Sequence, residues 1–69
     1  MSFAQTEAKR ILKVLADSGA PMRRGSAMAV LTPAHGWLVI GSVPSGDRWL
    51  KMNVPSGEVG DLVRALNAA

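Results

Sequence analysis

Trp37-Leu38-Val39-Ile40-Gly41-Ser42-Val43-Pro44-Ser45-Gly46-Asp47-Arg48-Trp49-Leu50-Lys51-Met52-Asn53-Val54 is the stretch on which the fold turns. Two runs rich in Val, Ile, Leu and Trp flank Pro44-Ser45-Gly46-Asp47, where a proline suits a turn and a glycine accepts positive φ. The pattern predicts a β-hairpin with strands Trp37–Val43 and Arg48–Val54. With Ser45-Gly46 at its tip, Trp37 pairs with Val54, Val39 with Met52 and Gly41 with Leu50. Paired side chains lie on the same side of a sheet, so these residues form one wholly apolar face. Leu38, Ile40, Ser42, Trp49, Lys51 and Asn53 then share the other, which mixes apolar and polar groups.

Upstream of the hairpin, Thr32-Pro33-Ala34-His35-Gly36 reads as a turn and Ala27–Leu31 as a further strand. That strand adds either Met28 and Val30 or Ala27, Ala29 and Leu31 to the mixed face. Residues 19–26 are a loop by composition. Before them Ala4, Ala8, Ile11, Leu12 and Leu15 recur at helical spacing. Ser2 and Gln5 supply a capping box, Gly19 a left-handed closing residue, and Pro21 cannot continue the run, so a helix is expected over Phe3–Ser18. Downstream, Pro55 has no N–H for the sheet ladder and Ser56 is placed to cap a second helix. That helix carries the stripe Val59, Leu62, Val63 and Leu66, with Glu58 and Asp61 near its positive end. The fold expected is α+β: a single small domain over residues 1–69, in α-β-β-β-α order, with a three-stranded antiparallel sheet packed by two helices. Val43-Pro44-Ser45-Gly46-Asp47 returns as Val54-Pro55-Ser56-Gly57-Glu58, a repeat of turn chemistry too short to mark a duplicated unit.

Antiparallel sheets with one wet face alternate apolar and polar residues, and the central strand here does not. Either the helices divide, one to each face, or they share the first face and leave the second to a partner. Consecutive elements in small α+β domains tend to share one side, which favours the second arrangement.

The composition sharpens that expectation. A chain of 69 residues is short, and such chains bury only about 60% of their unfolded surface, so self-association or a partner is expected to complete the core. The absence of cysteine excludes a disulfide scaffold and thiolate metal sites. Apolar residues at 48% against 19% charged exclude a disordered composition. No apolar run approaches the ~20 residues of a membrane span, and no basic segment leads into an apolar one as in a secretory signal, so a cytoplasmic protein is expected. The charge balance, 8 − 5 = +3, attracts anions only weakly.

Chemistry-bearing residues are few. There is one histidine, no cysteine and no tyrosine, and Glu7, Asp17, Asp47, Glu58 and Asp61 are scattered. Nucleophilic or acid–base catalysis needs a reactive group held against a partner, and a metal needs several ligands at set spacing. No catalytic residue, metal site, cofactor or enzymatic activity is therefore expected. The nearest grouping, His35 with Ser56 and Glu58 at one sheet end, reads more simply as a turn histidine beside a helix cap.

Three resemblances concern nucleic acids. The α-β-β-β-α order and the length resemble a double-stranded-RNA-binding domain, and Thr32-Pro33-Ala34-His35 is similar to that family's G-P-x-H loop. Ile11-Leu12-Lys13-Val14-Leu15 through Gly19-Ala20-Pro21-Met22 resembles the opening of winged-helix regulators, with Trp37–Met52 in place of a wing, as in a truncated member. Gly57-Glu58-Val59-Gly60 is similar to the G-x-x-G loop of KH domains. All are resemblances of element order and single motifs, and each implies nucleic-acid binding.

The function expected is that of a small non-enzymatic binding module acting by protein–protein contact, an accessory or inhibitory protein that occupies a partner's surface. It is expected to be a homodimer, with Trp49, Lys51 and Leu38 as contact residues and Arg23 and Arg24 as a rim. The alternative is a basic nucleic-acid-binding protein, using Lys9, Lys13, Arg23, Arg24 and Lys51 on phosphates, with Trp49 as a stacking platform.

Overall fold

The computed structural model describes residues 2–69. Ser2 opens helix α1 (Phe3–Asp17), its Oγ accepting a hydrogen bond from the Gln5 N–H at 3.2 Å. The helix closes with Gly19 at φ +75°, the Ala20 N–H reaching back to the Leu15 carbonyl and the Gly19 N–H to that of Ala16. This pairing consumes carbonyls that the last turn would leave open. Strands β1 (Met28–Thr32), β2 (Gly36–Ser42) and β3 (Arg48–Val54) follow, and helix α2 (Val59–Asn67) ends the chain. The sheet is antiparallel in the order β1-β2-β3, as the α-β-β-β-α pattern predicts.

Both helices cover the same face. Ala4, Ala8 and Ile11 of α1 and Val59, Leu62 and Leu66 of α2 meet Ala27, Val39 and Val54 in one buried cluster, with Trp37, Trp49 and Ala29 packed around it. No residue of the sheet's opposite face belongs to it. The outcome is a slab of two layers, 17 Å thick and 30 × 28 Å across.

Two features depart from the expectation. Ser56 is not a helix cap: residues 56–58 form a turn, closed by the Glu58 N–H on the Pro55 carbonyl, and Glu58 occupies the cap position without a side-chain bond. The second departure is the register of β3. The turn after β2 has three residues at its tip, not two. The Gly46 N–H bonds to the Val43 carbonyl, the Val43 N–H bonds to the Asp47 carbonyl, and Gly46 sits at φ +96°. This tight turn with a left-handed glycine is the usual three-residue hairpin connection. It makes Ile40 face Leu50, Gly41 face Trp49 and Val39 face Lys51, one residue off the expected pairing. A bulge then restores the expected partner at Trp37–Val54, with Asn53 absorbing the extra residue at φ +58°. Asn53 is the one described non-glycine residue at positive φ, and asparagine tolerates that conformation better than most.

Candidate protein-contact surface

A one-residue slip in a strand turns every side chain to the opposite face. Between Arg48 and Met52 the sequence-based face assignment is therefore inverted. Trp49 and Lys51, expected beside Leu38 on the contact face, lie on the helix-covered side instead, and Leu50 and Met52 take their place.

The inverted residues have structural partners. Trp49 lies across Gly41, so close that a β-carbon there would overlap the ring. Its Nε1 is buried and finds no hydrogen-bond acceptor among the described residues. Lys51 directs its ammonium toward Glu7 of α1, 4.0 Å from Oε2, and Glu7 also pairs with Arg10. Leu38 alone of the three expected contact residues stands on the open face.

That open face is an apolar grid. Met28, Ile40 and Leu50 make one row across the strands, and Val30, Leu38 and Met52 the next. Met28 and Leu50 are each 57% exposed and Met52 46%, while Val30, Leu38 and Ile40 are half-buried by their neighbours alone. Phe3, Val14 and Leu31 are also exposed, but they are isolated on α1 or at the end of the covered side. Single exposed apolar residues are ordinary, whereas a contiguous apolar face is not. The grid is framed by Thr32 and Gly36 at one end and by Ser42 and Arg48 at the other.

Arg23 and Arg24 reach that second end. The Arg23 N–H donates to the Ser42 carbonyl at 2.7 Å, and Ser26 Oγ accepts from the Ser42 N–H at 3.1 Å. The loop is thus pinned beside the strand end that carries Arg48, so the expected rim and the open face are adjacent. The other basic residues are dispersed. Lys13 bonds Asp17 at 2.9 Å, Arg64 pairs with Asp61, and Lys9 borders a groove between the helices with Leu12, Ala65 and Ala68. Of the five basic residues of the nucleic-acid alternative, Lys13 and Lys51 thus stand beside carboxylates, and Arg23 and Arg24 lie in the loop beside Ser42. His35 is exposed in its turn, its N–H held by Thr32 Oγ1 at 3.1 Å.

Leu50 and Met52 are the residues that sequence reasoning missed. The signal was present in Val43-Pro44-Ser45-Gly46, which suits a turn with proline second and a left-handed glycine fourth, and in an asparagine just before the strand's last residue. No protein-family model matches the chain, and comparison with curated proteins and with solved structures finds no match. Among the described residues, no helix is long and apolar enough to cross a membrane.

Proposed function

We propose that this protein is a non-enzymatic binding module that acts by protein–protein contact through the open sheet face. One observation carries the reading: six apolar side chains on three adjacent strands form a continuous face that neither helix covers. Water against such a face costs about 25 cal/mol per Å2 of apolar surface, a cost that a partner's surface removes. Arg48, Arg23 and Arg24 at one end supply orientation, since rim charges steer encounter more than they hold a complex. A cysteine-free chain needs no oxidising compartment, and a cytoplasmic setting belongs to this reading.

The test is capture from the native host, with and without nuclease, by the wild type and by Leu50→Lys. Leu50 is largely exposed, so lysine there leaves the core intact. Contact through the face predicts binding that survives nuclease, changes little as salt is raised, and is lost in Leu50→Lys. Binding that nuclease abolishes, or that falls by orders of magnitude with salt through counterion release, would instead mark the nucleic-acid alternative.

A further inference from the structure

We infer that the open face is covered by a second copy of this chain, packed sheet to sheet about a two-fold axis that runs across the strands. This rests on the reading of that face as a contact surface and names its occupant.

Three observations lead there. The first is area. A layer laid over the broad side of a 30 × 28 Å slab hides on the order of 600 Å2 per copy, or about 1,200 Å2 in total, the lower end of specific interfaces. A second copy offers a face of the same size and shape, and sheets stack about 10 Å apart, so the product is a four-layer helix–sheet–sheet–helix sandwich.

The second is fit. With the axis across the strands and between the two rows, each row of one copy lies over the other row of its partner. Met28 then meets Val30, Ile40 meets Leu38, and Leu50 meets Met52. At the Met28–Val30 contact a long, flexible methionine faces a short, branched side chain, and methionine adapts readily to such contacts.

The third is charge. Among the described residues Arg48 is the single ionic group on the face, and Arg23 and Arg24 lie at the same end, where the Arg23 N–H is held by Ser42. An axis along the strands would set these arginines against their own copies. An axis across them sends the arginines to opposite ends, each over the end where β3 leaves through Pro55–Glu58, a segment with no lysine or arginine. Like charges are separated only in this arrangement.

Sedimentation of the full chain over micromolar to millimolar concentration tests the proposal, with far-UV circular dichroism as the control for folding. The wild type is expected to pass from the 7.3 kDa chain mass to twice that value, with a dissociation constant on the order of 1–100 μM for so small an interface. Leu50→Lys alone and Met52→Glu alone should each weaken association at least tenfold while remaining folded. Mixing the two should recover it as a heterodimer, because the ammonium brought by Leu50→Lys in one copy would then face the carboxylate brought by Met52→Glu in the other. Wild type at the single-chain mass throughout would overturn the second copy as occupant. If Leu50→Lys still abolished capture of a host protein, the contact surface itself would stand. A dimer indifferent to Leu50→Lys would overturn this interface. Loss in the single variants without recovery on mixing would overturn the crosswise axis.

Discussion

Gly41 shows how much one missing side chain can decide. It faces Trp49 across the β2–β3 pair, and the indole occupies the space a β-carbon would take. Any residue larger than glycine would lift the ring from the strand and disturb the packing of Trp49 against the core. Gly41→Ala is expected to cost about 1–3 kcal/mol, the usual penalty for overpacking, read as a lower urea midpoint and a red-shifted tryptophan emission. An unchanged midpoint would mean the indole lies elsewhere. Apolar patterning does not reveal the pairing, because a two-residue turn sets Gly41 against Leu50, a pairing equally plausible by hydrophobicity.

Within single elements, the helices were legible and the third strand was legible only in extent. Apolar residues at 3.6-residue spacing, a serine cap and a left-handed glycine specify α1 locally, and the structure places its ends within a residue of expectation. The bounds of β3 agree with the sequence as well, but its facing depends on two residues, Gly46 and Asn53, whose conformations apolar patterning does not report. The candidate surface followed suit: Leu38 and Ile40 were found by alternation along β2, and Leu50 and Met52 were lost with the register. Asn53 gives a direct check. Asn53→Gly should keep or slightly raise stability, whereas Asn53→Val should cost about 1–2 kcal/mol, the strain of a β-branched residue at positive φ. Equal thermal midpoints for the two variants would argue against the bulge.

For the molecule as a whole, closure depends on one side chain that sequence reasoning passed over. Asn67 at the end of α2 clasps Ala27 just before β1: its Oδ1 accepts from the Ala27 N–H and its Nδ2 donates to the Ala27 carbonyl, both at 3.0 Å. Ala27 is buried, so neither backbone group has water to turn to. Asn67→Ala should therefore cost about 2–3 kcal/mol, a large share of the stability of so small a domain, measured by chemical denaturation. A loss under half a kcal/mol would show that the clasp is solvated. Nothing in the sequence announces such a bond, because it joins residues 40 positions apart that only the finished fold brings together.

The paired left-handed residues at Gly46 and Asn53 also bear on how this protein changes over generations. Between them lies a cassette of β3 whose orientation is set by one extra residue at each end. Ser45→Asn, which makes the usual two-residue hairpin tip with Gly46, together with Asn53→Val at the bulge would favour even alternation and turn the cassette over. Trp49 and Lys51 would move outward and Leu50 and Met52 inward, while both helices and the other strands kept their places. A pair of substitutions outside the face could thus exchange an oily exterior for an aromatic and cationic one, so that binding preference is editable at two turn positions as well as at the contact residues.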